Sequence, residues 1–265
     1  MKNAIISHLS KEYPWIEELH YFPTIDSTND QLKIMARQGA PHGTVLIAGH
    51  QTAGHGRMGR SFQSSADVGV YLSILLRPKC PPKELMHLTC AAAVAMCDAV
   101  EQAVGIYPGI KWTNDLVFEK KKLGGILTEL GFEKDGSIAY AIIGIGINCC
   151  HQKDDFDPGI QDIAASLSMV TGKTIDRNIV AAAMMDALYR MDKSLLTGKP
   201  EIMQRYQDNC ITVGQEISLV RGDDIRYGTA ISVDDDGALI VRFRDGSVQP
   251  VNSGEVSIRG MYGYI

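Results

Sequence analysis

The sequence predicts an α+β fold, with strands packed against helices and a small β-barrel at the C-terminal end. Two patterns point there. Over most of the chain, helix-periodic stretches with recognisable caps are interleaved with short apolar, strand-like runs. Beyond Thr212 the texture changes to closely spaced alternating runs separated by turn signals, the mark of a small barrel. No internal repeat or low-complexity segment breaks this plan. The boundary falls near Val213, giving one domain over 1–212 and a second over 213–265.

Taken in order, Ser27-Thr28-Asn29-Asp30 opens a helix that runs through Leu32, Met35 and Ala36 and stops at Gly39. Ser27 with Asp30 resembles a capping box, Asp being a poorer third-turn partner than Glu. Strands are expected at about 44–49 and 69–76. Pro82 then introduces a long apolar helix from about Lys83 to Val104. A β-rich stretch follows. Ile110-Lys111-Trp112 leads into Leu116-Val117-Phe118, then a Lys120-Lys121 turn and a strand over Gly125–Leu130. Asp135-Gly136 is a hairpin signal before a long strand, Ile138–Ile147. From Ile163 to Cys210 the pattern is helical, with Asp176 a good N-cap for a helix carrying Ile179, Val180, Met184, Leu188 and Met191. The barrel strands are Ile217–Val220, Tyr227–Val233, Ala238–Phe243 and Val256–Ile258. Turns are signalled at Asp223-Asp224, Asp234–Gly237, Asp245-Gly246 and Ser253-Gly254.

Composition excludes several classes. A chain of 265 residues with 45% hydrophobic and 22% charged content is ordinary for a soluble globular protein. The net charge of −5 argues against a general nucleic-acid surface. Met1–Leu19 carries charges throughout and has no apolar signal region, and the longest apolar stretch, Ala91–Val100, is too short to span a bilayer. The 6 cysteines then read as free thiols of a cytoplasmic protein. Cys149-Cys150-His151 lacks the paired spacing of a zinc site.

Gly54-His55-Gly56-Arg57-Met58-Gly59-Arg60 stands out against this acidic background. Glycines let backbone N–H groups approach an anion, and arginine adds planar charged donors. The match to G-x-G-x-x-G does not make a dinucleotide fold, because no helix opens at these glycines and no ribose-binding acid follows. Gly172-Lys173-Thr174 ends like a P-loop but has Leu167 in place of the leading glycine. Four further segments bear chemistry: Ser27-Thr28-Asn29, Lys111–Asp115, Lys122–Leu127 with Glu129 beyond, and Gly144–Asn148. Each has a bland reading, as a helix cap, a turn, a solvated lysine face and thin strand packing. Together they put cations from separate segments around one polyanion, with no activated nucleophile. That is a site for electrostatic work on phosphates.

The ordered set STN, QTAGHGRMGR, KWTND, KLGGIL and GIGIN resembles the biotin protein ligases, from about Tyr21 to the C-terminus. The resemblance implies a mixed β-sheet of the class II synthetase-like type with an SH3-like end barrel. It also implies an enzyme that uses ATP to convert biotin to biotinyl-5′-adenylate. The biotinyl group then passes to a lysine of a biotin carboxyl carrier protein domain in a carboxylase such as acetyl-CoA carboxylase. Magnesium would be carried by the ATP and not by a protein metal site. Ser27, Thr28 and Asn29 would line the biotin site, with Gln51 near its rings. His55, Gly56 and Arg57 would hold the biotin carboxylate and then the adenylate phosphate. Lys122 would sit at the carboxylate and α-phosphate, Lys111 at phosphates or metal, and Asp115 would position the incoming amine. Gly125 and Gly144 would pack against the ligand. Arg60, Asn114 and Asn148 would lie on the adenylate side, and Phe62 would cover the adenine.

Two departures from the family pattern matter. The loop commonly reads GRGRxGR, and here the first Arg is His55, so any contribution of that side chain becomes pH-dependent or falls to the backbone. Thr113 stands where Pro is frequent. Only 26 residues precede Ser27, too few for the helix-turn-helix of repressor-type members, so the expectation is a ligase-only type with no DNA or membrane partner. A homodimer stays open. The nearest rival is a lipoate or octanoate ligase or transferase of the same fold. A transcriptional regulator would need a DNA-reading element, and a binding module without catalysis would not need Lys111, Asp115 and Lys122 together.

Overall fold

The computed structural model describes residues 1–221 and 223–252 and the backbone of 257–260. The Ser253-Gly254 turn and Val256 lie outside the described residues. In chain order the elements are α1 (Lys2–Ile6), β1 (Leu19–Ile25), α2 (Thr28–Arg37), β2 (Val45–Gln51), β3 (Gly69–Leu76) and α3 (Leu88–Val104). Then come β4 (Gly109–Lys111), β5 (Asp115–Phe118), β6 (Lys121–Phe132), β7 (Ile138–Asn148), α4 (Leu167–Thr171), α5 (Arg177–Ser194) and α6 (Lys199–Asn209). The end unit holds β8 (Glu216–Arg221), β9 (Asp224–Val233), β10 (Leu239–Phe243), β11 (Val248–Val251) and β12 (Ser257–Gly260).

A seven-stranded sheet runs in the order β1-β2-β3-β7-β6-β5-β4. β1 is parallel to β2 and the remaining neighbours are antiparallel, so the sheet is mixed. Strand alternation decides which helix each residue meets. Val45 and Ile47 of β2 and Leu72 and Ile74 of β3 join the main core with α3 and α5. Leu46 and Leu75, one step out of phase, pack with Leu32 and Ala36 of α2 on the opposite face. Each such large side chain, fully withdrawn from water, contributes roughly 1.5–3 kcal/mol. The five C-terminal strands form an antiparallel sheet, β11-β10-β9-β8-β12, as expected of an SH3-like end domain.

Several local expectations shift. Pro82 starts a short 3₁₀ turn, Pro82–Leu85, and the α-helix proper begins only at Leu88. Buried alanines at Ala91, Ala92 and Ala93 let its backbone pack closely. The turn expected at Lys120-Lys121 sits one residue earlier. Glu119 and Lys120 take positive φ (48° and 63°), and Lys121 already belongs to β6. β6 therefore runs through Gly124-Gly125 instead of starting there. The helical stretch before Cys210 divides into α4, α5 and α6. The sequence pattern does not predict β1 or β11. Pro23 interrupts the strand pattern of β1 and is tolerated because β1 is an edge strand.

The end unit braces the turn between β4 and β5. The indole N–H of Trp112 donates to the Gly237 carbonyl (2.9 Å), and its backbone N–H donates to Thr212 Oγ1 (3.0 Å). Tyr206 Oη on α6 donates to the Thr113 carbonyl (3.0 Å). Lys199 pairs with Asp236 at 2.6 Å. The buried contacts of Trp112 and Thr113 hold the turn that separates Lys111 from Asp115.

Candidate active site

The sequence-predicted site residues converge on one cavity of about 300 Å³ at the ends of β2, β6 and β7. Its polar end starts at Ser27. The Ser27 hydroxyl accepts from the Asp30 N–H (3.3 Å) and caps α2. The reciprocal half of the expected capping box is absent. The Ser27 N–H donates to Asp26 Oδ1 (2.7 Å), and the Asp30 carboxylate pairs with Lys33 (2.7 Å). The cap places Thr28 and Asn29, each 4% exposed, on the sheet. The Thr28 N–H donates to Gln51 Oε1 (2.8 Å), and Gln51 Nε2 donates to Ser64 Oγ (2.9 Å). Asn29 Nδ2 donates to Glu129 Oε2 (2.8 Å). Ser73 Oγ donates to Asn29 Oδ1 (2.6 Å).

The glycine loop bends over this end. The Gly56 N–H donates to the Arg60 carbonyl (2.7 Å) and the Phe62 N–H to the Gly54 carbonyl (2.9 Å), closing a tight reversal with Met58 at φ 57°. The turn Arg57–Gly59 is 3₁₀, so the loop opens no long helix and carries no dinucleotide fingerprint. His55 Nδ1 lies 3.7 Å from Asp30 Oδ2. Arg57 Nη1 donates to Asn114 Oδ1 (2.9 Å), and Asn114 Nδ2 donates to the Ile126 carbonyl (2.9 Å). Burial pulls the Arg57 guanidinium down from its ordinary value, with Asp115 opposing. It remains a cation at any physiological pH. Arg60 is exposed on the rim.

The cationic end is made by Lys111, 8% exposed, and Lys122. Lys122 Nζ donates to Asp115 Oδ1 (2.7 Å), and its backbone is clamped against Ile163 and Ala165. Gly125 borders this ion pair, and a Cβ there would meet Asp115 Oδ1 and Lys122 Nζ at 3.4 Å, about ordinary contact distance. Gly144 lines the cavity and is turned toward Asn29, where a Cβ would fall 2.0 Å from Oδ1, so its smallness seats that amide. Phe62 stands against Gly146, where a Cβ would come within 2.3 Å of its ring. Asn148 Nδ2 donates to the Ala165 carbonyl (3.1 Å) and borders the far end. Arg57, Lys111 and Lys122 thus face one space, and neutral donors and acceptors face its other end.

Sequence reading missed Ser73 and gave Glu129 no role. Ser73 did carry a signal, being one hydroxyl inside the otherwise apolar, fully buried run GVYLSILL. A buried hydroxyl requires a partner. Among the described residues, no three His, Cys, Asp or Glu side chains cluster as a metal site.

Comparison with known proteins reports on the same regions. The family described as the biotin/lipoate A/B protein ligase family matches residues 21–148, and the biotin protein ligase C-terminal domain matches 212–259. The bifunctional ligase/repressor BirA of Bacillus subtilis is 35% identical over 91% of this chain and 74% of its own. The biotin–[acetyl-CoA-carboxylase] ligase of Mycobacterium tuberculosis is 31% identical over 87% of this chain and 85% of its own. The chain belongs to the biotin protein ligases. Among solved structures, a biotin protein ligase from Aquifex aeolicus in complex with biotin and ATP superposes with a TM-score of 0.76. It is 29% identical and covers 91% of this chain and 98% of its own. A biotin protein ligase therefore binds both substrates on a fold that this chain shares over most of its length.

Proposed function

We propose that this chain is an ATP-dependent biotin ligase, which converts biotin to biotinyl-5′-adenylate and transfers the biotinyl group to a lysine of a carboxylase carrier domain. The observation that carries this reading is the polarity of the cavity. A neutral end built from Ser27, Thr28, Asn29 and Gln51 suits a polar head group, and Arg57, Lys111 and Lys122 collect at the other end. A carboxylate attacking the α-phosphate of ATP brings two anions together, and these cations lower the cost of that approach. Magnesium enters with the nucleotide phosphates.

The two half-reactions use the same residues in sequence. Arg57 and Lys122 hold the biotin carboxylate and the reacting phosphate, and Lys111 neutralises the phosphates. The carboxyl oxygen bonds to the α-phosphorus as the bond to the departing pyrophosphate breaks. Asp115 then accepts a hydrogen bond from the incoming lysine amine and aims it at the carbonyl, releasing AMP. The Gly54–Phe62 reversal covers the mixed anhydride and keeps water away. Phe62, lying on Gly146, supplies an aromatic face for the adenine, and Asn114, Asn148 and Arg60 border that end.

We assign the catalytic work to 1–212 and treat 213–265 as an appended barrel that braces the Lys111–Asp115 turn. The partner is a biotin carboxyl carrier domain of a carboxylase, and the mycobacterial relative is named for acetyl-CoA carboxylase. DNA and membranes are not among the proposed partners, and the compartment is the cytoplasm. No helix among the described residues is long and apolar enough to cross a membrane. The test is transfer. Incubation with biotin, ATP and a purified carrier domain should place biotin on one carrier lysine and leave a Lys→Arg carrier unmodified. Modification that proceeds without ATP would overturn the assignment.

A further inference from the structure

We propose that Tyr206, on α6 and outside every motif of the site, is a positioning residue for retention of the adenylate. It fixes the peptide that leads into Asn114, and Asn114 in turn fixes Arg57. The inference rests on the ligase reading, in which Arg57 grips the anionic bridge of biotinyl-5′-adenylate.

The line of contacts starts in the core. Tyr206 is fully buried, and its hydroxyl donates to the Thr113 carbonyl at 3.0 Å. A buried hydroxyl costs stability unless it is bonded, and a phenylalanine would fill the same space without that demand. Burial holds the phenol well above its ordinary pKa, so it remains a donor at physiological pH. The Thr113 carbonyl and the Asn114 N–H belong to one planar peptide unit. Fixing the carbonyl therefore sets the direction in which the chain enters Asn114. On its other side Asn114 is pinned by β6. The Ile126 N–H donates to the Asn114 carbonyl (3.0 Å), and Asn114 Nδ2 donates to the Ile126 carbonyl (2.9 Å). The second of these bonds decides which end of the amide is which. Oδ1 is left toward Arg57, whose Nη1 donates to it at 2.9 Å.

Arg57 needs such a seat. It is a long side chain on a tight reversal, next to Met58 at positive φ, and its rotamers are costly to order. A guanidinium has five N–H donors, so one can be given to Asn114 while others remain for a ligand. Ordering the side chain before the adenylate forms removes that cost from binding. Tyr206 itself has a firm base. α6 is tied to the end unit by the Lys199–Asp236 pair (2.6 Å) and by Gln207 Oε1, which accepts from the Val233 N–H (3.2 Å).

The test is a double-mutant cycle on the full chain, read as the dissociation rate of labelled biotinyl-5′-adenylate. Tyr206→Phe keeps the ring and deletes the hydroxyl. It should speed dissociation about three- to tenfold, the net worth of one hydrogen bond. In the Arg57→Gly background the same change should alter the rate by less than about twofold, because the side chain it positions is gone. Asn114→Ala should follow the same pattern, faster alone and silent beside Arg57→Gly. A packing role alone predicts that Tyr206→Phe multiplies the rate by the same factor with and without Arg57. That result, or a Tyr206→Phe protein that retains adenylate like wild type, would overturn the proposal and leave the ligase reading standing. Should Tyr206→Phe not fold, the Asn114→Ala cycle decides in the same way. Wild-type protein that forms no adenylate from biotin and ATP would overturn the ligase reading and this proposal with it.

Discussion

Arg57 carries the clearest consequence of a single side chain. It is half-buried, bonded to Asn114, and set on the loop that covers the cavity. Arg57→Gly deletes one or two charge-assisted hydrogen bonds to the anionic bridge of the adenylate, each worth roughly 1.5–3 kcal/mol. Adenylate should leave about ten- to a thousandfold faster, and lysines of bystander proteins should become biotinylated. Off-rates of labelled adenylate, with transfer to serum albumin, measure this; wild-type retention would remove the clamp role. Lys122 and Lys121 form a matched pair. Lys122 faces the cavity beside Asp115, whereas Lys121 reaches outward to the Asp162 carbonyl. Lys122→Ala should lose on the order of 3 kcal/mol of transition-state stabilisation in adenylate formation, and Lys121→Ala little. Equal activity of the two variants would return Lys122 to the solvated face. The Asp115–Lys122 contact also shapes a third expectation. Asp115→Asn keeps an acceptor for Lys122 but loses the charge that orients an amine. Single-turnover transfer from preformed adenylate should fall more than adenylate formation does.

At the scale of elements, the segment after β7 holds a group in an unusual state. His151 is fully buried and stacks on Phe156 with ring centroids 4.9 Å apart. Neither ring nitrogen has a hydrogen-bond partner among the described residues. Burial outweighs nearby Asp155 and lowers its pKa from 6.5 to about 4. The fold thus favours neutral imidazole, and the unfolded chain takes up a proton first. Stability from this group is complete above pH 6.5 and is lost as pH falls through 6.5 to about 4, by up to about 3 kcal/mol. His151→Phe should flatten that acid limb and be neutral or stabilising at pH 7. Thermal melts from pH 7 to pH 4 that show the same slope for both proteins would contradict this. Legibility in the sequence varied in the same physical way across elements. The strand GVYLSILL and the Ser27 cap were readable because period and capping chemistry are local. The start of α3, the split of the later helices and the whole of β1 were not, because an edge strand with a proline owes its existence to its neighbour β2. The candidate site was readable as motifs in order, and their meeting in one cavity follows the strand ends. Ser73 escaped notice and Glu129 was given no role because their meaning lies in a partner, Asn29, 44 and 100 positions away.

The whole molecule supplies the arrangement that single segments cannot. The mixed sheet brings the Ser27 cap, the glycine loop and the Lys111 and Lys122 strands to one edge. The end barrel holds the Lys111–Asp115 turn through Trp112 and Gly237. The central claim is that this edge joins a carboxylate to the α-phosphate of ATP and that the acid is biotin. Isotope exchange between pyrophosphate and ATP reads that step alone, with no carrier protein needed. Assayed in parallel with biotin, lipoate and octanoate, exchange should require biotin and magnesium and stay at background with the other two acids. Exchange supported equally by lipoate, or proceeding with no acid present, would contradict the account.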